Sequence, residues 1–129
     1  MVSHVLCTAV EYDIPAVWVV WNNFAWAAIR DLQYAYFGGR EHGTGFYHGP
    51  ERKPYNPDFA AWARAAGVDG LTVTRSQEFK GALEHAVKLN KPCLIDVHVD
   101  ANIRPPGTGA WALPPIPHME PVFGKKHVR

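Results

Sequence analysis

Two consecutive asparagines, Asn22 and Asn23, follow a run of β-branched and aromatic residues, Ala16 to Trp21. Asparagine offers a neutral carbonyl oxygen to a hard cation and amide hydrogens to a phosphate, and its backbone tolerates the left-handed conformation of a sharp turn. In open α/β sheets, ligands bind beyond the carboxyl ends of the strands. If the run is a strand, the pair lies where a ligand is expected. The alternative is a strand-to-helix turn that an asparagine caps.

The histidines and cysteines give no comparable pattern. None of the seven histidines stands in the HxxxH spacing of a zinc site, and His4 with Cys7 is one isolated pair. Cys7 falls in a predicted helix and Cys93 in a predicted strand, so we expect two buried thiols that are neither disulfide-bonded nor nucleophilic.

The acidic residues do not form an acid and base pair either. Glu11, Asp13 and Asp96 are interpreted as solvent-facing or strand-end charges, because nothing pairs them as acid and base. The sequence therefore predicts no catalytic residue within the chain.

Apolar periodicity, prolines and glycines divide the chain into alternating strands and helices. The strands are continuous apolar runs, predicted over residues 16–21, 70–73 and 93–97. The helices are predicted over residues 3–12, 24–37, 56–66 and 74–89, and Asn56 is predicted to cap the third. Ile29 and Phe37 are expected to point partly inward from the second helix, and Val87 is expected to point inward from the fourth. Between them, residues 39–55 hold four glycines and two prolines without an apolar period, so they are predicted to form a long loop.

This alternation predicts an α/β fold in which a parallel sheet with flanking helices forms three layers. The first helix has no strand before it, so we expect an N-terminally truncated version of such a fold. Residues 1–100 are predicted to form this partial domain. Residues 101–129 hold six of the eleven prolines and are predicted to form an extended Pro-rich C-terminal extension.

The composition is typical of an ordinary globular protein, with 47% hydrophobic and 19% charged residues. A net charge of +1 argues against nucleic acid as a partner. The longest apolar run, Ile14 to Trp21, is far shorter than the roughly 20 residues of a membrane helix, and no export signal is visible. The expected location is the cytoplasm.

Four stretches, taken in order, resemble the C-terminal, diphosphate-binding domain of thiamine-diphosphate enzymes of the acetolactate synthase type. They are Leu6–Pro15 with Val17–Asn23, Asn56–Ala60, Ala65–Gly70 and Lys91–Val97. The first stretch is similar to the second half of the family's cofactor signature, which opens with Gly-Asp-Gly and closes with Asn-Asn. Gly-Asp-Gly does not occur in these 129 residues.

The resemblance implies thiamine diphosphate and Mg²⁺ as cofactors. In the family, the aspartate of Gly-Asp-Gly and the second asparagine bind Mg²⁺, together with a backbone carbonyl two residues later. Carried onto this chain, the metal ligands are the side chain of Asn23 and the carbonyl of Ala25. Asn22 is expected beside them, and Trp26 either walls the substrate pocket or packs in the core.

The resemblance further implies an enzyme that cleaves or joins carbon–carbon bonds of 2-keto acids. Family members use a glutamate from another domain, usually of a neighbouring subunit, to activate the cofactor. We therefore expect this chain to be inactive alone and to work as a homo-oligomer or with a complementing chain. The alternative is a non-catalytic α/β interaction subunit derived from the same fold.

Overall fold

A computed structural model describes residues 4–103 of the chain. These residues divide into two compact units. The first contains residues 4–23 and 55–99, and the second contains residues 24–54 and 100–103. In chain order the elements are α1 (His4–Glu11), β1 (Val17–Asn22), α2 (Ala27–Tyr36), β2 (Tyr47–His48), β3 (Lys53–Pro54), α3 (Phe59–Ala65), β4 (Asp69–Val73), α4 (Ser76–Leu89) and β5 (Cys93–His98).

The first unit is built on a three-stranded parallel sheet with the strand order β1-β5-β4. Val17 and Asp69 lie opposite Cys93 at the amino ends of the strands, and Asn22 lies opposite His98 at the carboxyl end. The α/β prediction is confirmed, as is the prediction that the three apolar runs are adjacent parallel strands of one sheet.

Helices pack on both faces of this sheet. Alternate residues of β5 point to opposite sides, so the strand presents apolar side chains to both layers of helices. Cys93, Ile95 and Val97 form a core with α4 residues such as Ala86. Leu94 packs on the other face, with Leu6 of α1 and residues of α3. The unit therefore has three layers, and β5 is the strand that is buried on both faces.

Close packing of α3 on β4 depends on a glycine. A Cβ atom added at Gly70 would overlap the backbone carbonyl of Ala60. The Arg64 guanidinium also donates to the carbonyl oxygen of Gly70, at 2.7 Å. Asp58 caps α3 by accepting a hydrogen bond from the Ala61 N–H at 2.7 Å, so the prediction that the helix starts with Asn56 as its cap was wrong.

The second unit contains α2 and two short strands that the sequence did not predict. β2 and β3 pair antiparallel within the segment that was predicted to be a loop. The helix is shorter than predicted, and Ile29 and Phe37, expected to point partly inward, are each 49% exposed. The buried residue of α2 is Arg30, whose guanidinium donates to the carbonyl of Ala101.

Two further predictions of burial were wrong. Cys7 lies on the exposed side of α1, whereas Cys93 is buried as expected. Val87 was predicted to face inward from α4 but is 64% exposed. In each helix the preceding residue is the buried one, Leu6 in α1 and Ala86 in α4. No helix in the described part of the chain is both long and apolar enough to cross a membrane.

Candidate functional site

Asn22 is the last residue of β1 and is held from two directions. Its carbonyl accepts a hydrogen bond from the N–H of Val99 at 2.9 Å, which continues the β1–β5 ladder. Its side-chain oxygen accepts a hydrogen bond from the Asn56 amide at 2.5 Å. The residue is only 2% exposed. Asn22 is therefore a buried anchor of the strand end.

Asn23 follows directly and is half-buried. Because β1 runs parallel to β5 and ends beside His98, Asn23 lies just beyond the carboxyl end of the sheet. This is the end at which open α/β sheets bind ligands. The predicted position of the asparagine pair relative to the sheet is confirmed.

The second unit begins with Phe24, whose φ angle is 56°. A bulky residue with positive φ is strained, and such residues are concentrated at functional sites. The Phe24 carbonyl accepts a hydrogen bond from the Phe46 N–H, and the Trp26 N–H donates to the carbonyl of Thr44. These bonds flank a bridge between Ala25 and Gly45. In this antiparallel geometry the Ala25 carbonyl points away from Gly45.

Trp26 is 63% exposed, and its ring meets the edge of Phe46 with centroids 5.8 Å apart. The alternative that Trp26 packs in the core is therefore wrong. Its use as a wall of a substrate pocket stays a prediction.

The segment between α2 and β2 is tied to α2 by side chains. Gln33 donates to the carbonyl of His42 and accepts from its N–H, each at 3.0 Å. The Thr44 hydroxyl donates to the same Gln33 oxygen at 2.9 Å. The Tyr34 hydroxyl donates to Glu41 at 2.9 Å, and this hydrogen bond raises the pKa of Tyr34. The backbone that faces Ala25 is therefore positioned by α2.

Two polar residues of the first unit were missed or misread in the sequence. Asn56, expected to cap a helix, instead donates to Asn22. Asp96, expected to be a solvent-facing or strand-end charge, is fully buried in the central strand. Neither role leaves a local signal, because both depend on strand register and on contacts between distant segments.

The described residues were also searched for another ligand cavity, a reactive thiol and a cluster of metal-binding side chains. A groove of about 600 Å³ beside Asp69, His85 and Lys91 lies at the amino end of the sheet, opposite to Asn22. Burial raises the pKa of the Cys93 thiol to about 11, which makes this thiol a poor nucleophile. Among residues 4–103, no three His, Cys, Asp or Glu side chains are placed to hold a metal ion.

Comparison with known proteins identifies the class. Residues 1–97 match the family described as "Thiamine pyrophosphate enzyme, C-terminal TPP binding domain". This match covers most of the chain, so the chain belongs to this family of domains. The cofactors of the family are thiamine diphosphate and, typically, Mg²⁺.

Individual relatives narrow the similarity to the acetolactate synthase type. The chain is 32% identical over 117 residues to the "Probable acetolactate synthase large subunit" of Methanocaldococcus jannaschii, covering 91% of this chain and 17% of that protein. It is 33% identical over 99 residues to benzoylformate decarboxylase of Pseudomonas aeruginosa, with 71% and 16% covered. It is 32% identical over 94 residues to the acetolactate synthase large subunit of Parasynechococcus marenigrum, with 73% and 14% covered.

The chain thus spans about one-sixth of the length of these relatives. The residue types at the end of β1 fit the metal of the family, because Mg²⁺ takes oxygen ligands and few of them come from protein when phosphates are present. Asn23 and Ala25 fit by residue type alone, since one has an amide oxygen and the other a backbone carbonyl.

Proposed function

We propose that this chain holds the diphosphate end of thiamine diphosphate through Mg²⁺, with the Asn23 side chain and the Ala25 carbonyl as metal ligands. Asn22 and Trp26 lie beside the cofactor in this proposal. The observation that carries it is the position of Asn23, which follows the carboxyl end of a parallel strand and precedes the strained backbone of Phe24.

The two asparagines have different tasks in this proposal. Asn22 is buried, and both its carbonyl and its side-chain oxygen accept hydrogen bonds from the same unit. It fixes the end of β1 and thereby the direction in which Asn23 leaves the strand. Asn23 binds the metal, and the diphosphate supplies further oxygen ligands.

We further propose that the parent enzyme acts on a 2-keto acid, in line with the acetolactate synthase and decarboxylase relatives. We also propose that it works in the cytoplasm. The cofactor, when bound, supplies the chemistry that makes or breaks a carbon–carbon bond next to a carbonyl. The residues of this chain bind and orient the cofactor. They supply no catalytic side chain.

Two groups must come from outside these 129 residues. One is the metal-binding aspartate of Gly-Asp-Gly, and the other is the glutamate of the cofactor-activating domain. We propose that a second copy within a homo-oligomer or a complementing chain supplies them. A polypeptide of these 129 residues alone is then inactive.

Calorimetric titration with thiamine diphosphate in the presence of Mg²⁺ tests this proposal. The 129-residue polypeptide should bind weakly or not at all, and adding a polypeptide that carries Gly-Asp-Gly and the activating domain should produce binding. Micromolar affinity of the 129 residues alone would contradict the account of the missing ligands.

The second candidate function is a non-catalytic interaction subunit. The observation that favours it is the open edge of β1 within the described sheet, where Trp21 is 61% exposed. Failure of the complemented mixture to bind the cofactor, together with a stable monomeric chain, would favour this function over cofactor binding.

A further inference from the structure

A groove of about 600 Å³ opens at the amino end of the sheet, at the end opposite to the asparagine pair. Part of its lining is apolar and consists of Val10, Leu71, Leu89 and Pro92. All the residues that line the groove belong to the first unit. A concave surface with apolar walls and a few polar groups is the usual form of a small-molecule site. The groove therefore has room for the aliphatic body of a small ligand.

Two carboxylates, those of Asp13 and Asp69, line the same groove. Asp13 follows α1 in a turn with a φ angle of 50°, which the Ile14 N–H closes by donating to the carbonyl of Ala9 at 2.9 Å. Asp69 is the first residue of β4, and its N–H donates to the carbonyl of Pro92 at 3.2 Å. Because both backbones are fixed and both side chains are short, the two negative charges stay at the groove.

The Asp69 side chain is held by a histidine of α4. Nε2 of His85 lies 3.3 Å from Oδ2 of Asp69, and the two side chains are 55% and 38% exposed. A carboxylate accepts several hydrogen bonds, so Asp69 can bind a second donor besides His85. Its charge also acts on the neighbouring strand, since burial and, to a smaller extent, Asp69 raise the pKa of Cys93 to about 11. Asp69 is therefore a partly desolvated anion at the groove.

The ends of two helices add to the negative potential here. α1 ends at Glu11, before β1, and α4 ends at Leu89, before β5, so both helices place their carboxyl ends at the amino end of the sheet. The carboxyl end of a helix carries a partial negative charge that favours a cation. The last turn of α4 contains Lys88, whereas that of α1 contains no basic residue. The end of α1 therefore keeps its negative charge.

Lys91 is the opposing charge in the lining of the groove. It is exposed, and its ammonium group is carried on a flexible four-carbon chain, so it can turn toward solvent when another cation enters. Asp13 and Asp69 have no comparable freedom, because each carboxylate is one carbon away from the backbone. The groove therefore favours a cation over an anion.

We propose that this groove binds a small organic cation, a primary ammonium group on an aliphatic body. Asp13 and Asp69 bind the ammonium, and the apolar walls contact the aliphatic carbons. A hydrated metal ion would gain nothing from these walls, and among residues 4–103 no three His, Cys, Asp or Glu side chains are placed to hold a metal ion. The groove lies at the opposite end of the sheet from Asn23, so this binding does not depend on the proposed cofactor site.

Ligand-detected saturation-transfer NMR on the 129-residue polypeptide tests the proposal with n-butylammonium, n-butanol and butyrate, which share one chain length. At millimolar concentrations butylammonium should bind saturably, butanol more weakly and butyrate least. Asp69→Asn should weaken butylammonium binding about fivefold, the order of one partly exposed ion pair, and Asp13→Asn should weaken it by a smaller factor. Lys91→Gln should strengthen it, because a competing cation is removed.

Glu84→Gln is the matched control for Asp69→Asn. It removes the same charge, but Glu84 lies on α4 outside the groove and pairs with Lys80 at 3.9 Å. Butylammonium affinity should be unchanged in this variant. An equal loss of affinity in the two variants would mean that the net charge of the polypeptide alone attracts the probe, and would overturn the site.

Two further outcomes would overturn the inference: butyrate binding as tightly as butylammonium, or weaker butylammonium binding in Lys91→Gln. If Asp69→Asn fails to fold, the comparison of the three probes in the wild type and in Asp13→Asn still decides the matter. Asn23→Ala should leave butylammonium affinity unchanged, and the same loss in Asn23→Ala as in Asp69→Asn would contradict a groove that is separate from the cofactor site.

Discussion

At the scale of single residues, the hydrogen bond from Asn56 to Asn22 links the start of α3 to the end of β1. Asn56→Ala should lower the free energy of unfolding by about 1 kcal/mol, the usual net value of one hydrogen bond. It should also weaken cofactor binding in the complemented protein, because the direction of the Asn22–Asn23 turn is then less well fixed. Denaturant unfolding and calorimetry measure the two effects.

Asp58→Ala is the matched control for Asn56→Ala. It removes the cap of the same helix, at a similar cost of about 1 kcal/mol, without removing a contact to Asn22. Cofactor affinity should therefore be unchanged in this variant. An equal loss of affinity in both variants would mean that Asn56 acts through the stability of α3 alone.

The two cysteines should differ in reactivity and in their effect on stability at high pH. Cys7 is exposed and should react with a thiol reagent in the native protein, whereas Cys93 should react only after unfolding. The pKa of Cys93 is raised to about 11 in the fold, above the value of about 8.5 in an unfolded chain. The unfolded state alone therefore loses this proton between these values, and stability falls as the pH rises through this range.

Denaturant unfolding from pH 8 to pH 11 measures this loss of stability. Cys93→Ala should reduce the fall, and Cys7→Ser should not. Rapid modification of two thiols in the native wild type would contradict the burial of Cys93.

At the scale of elements, the contact between α3 and β4 requires a residue without a side chain at position 70. Gly70→Ala would place a methyl group against the backbone of Ala60, which can move only if the helix moves. We expect a loss of about 1–3 kcal/mol in the free energy of unfolding, as for other overpacked cores. Gly81→Ala is the control, because Gly81 lies in α4 with open space around it.

Gly81→Ala should raise the free energy of unfolding by up to about 1 kcal/mol through helix propensity. Thermal unfolding of both variants measures the opposite signs. Similar behaviour of the two variants would contradict the close approach of α3 to β4.

The helices and strands could be predicted where a pattern in the neighbouring residues indicates them. The three strands are continuous apolar runs, so their positions and their parallel pairing could be predicted from the sequence, but the order β1-β5-β4 was not predicted. The pair β2–β3 is only two residues long on each strand and lies in a glycine-rich segment. Two residues are too few to show the alternation of apolar and polar residues that predicts a strand. The cap of α3 was misplaced by two residues because Asn56 and Asp58 are both good caps, and only the contact of Asn56 with Asn22 decides between them.

The candidate site was predictable in position but not in its surroundings. The asparagine pair follows an apolar run, which placed it at the carboxyl end of the sheet. The burial of Asp96 was not predictable, because it depends on β5 being the central strand and on α1 and α3 covering that face.

At the scale of the whole molecule, β1 is an edge of the described sheet and carries no charged residue. Uncharged, apolar edge strands are templates for association. The 129-residue polypeptide should therefore self-associate, and Trp21→Lys should reduce this, because a lysine on an edge strand disfavours pairing. Light scattering measures both results.

Val87→Lys is the control for Trp21→Lys, since Val87 is similarly exposed, at 64%, but lies on α4 and not on the edge strand. It should leave the association unchanged. A monodisperse wild-type monomer with a cooperative thermal transition would contradict the exposure of a pairing edge.

The most direct test of the account is the affinity of the complemented protein for thiamine diphosphate in the presence of Mg²⁺, compared between the wild type, Asn23→Ala and Asn22→Ala. Asn23→Ala should lose most of the affinity, because it removes a metal ligand. Asn22→Ala should mainly lower stability, because Asn22 is an anchor of the strand end. Equal cofactor affinity in the wild type and in Asn23→Ala would contradict the metal-binding role of Asn23.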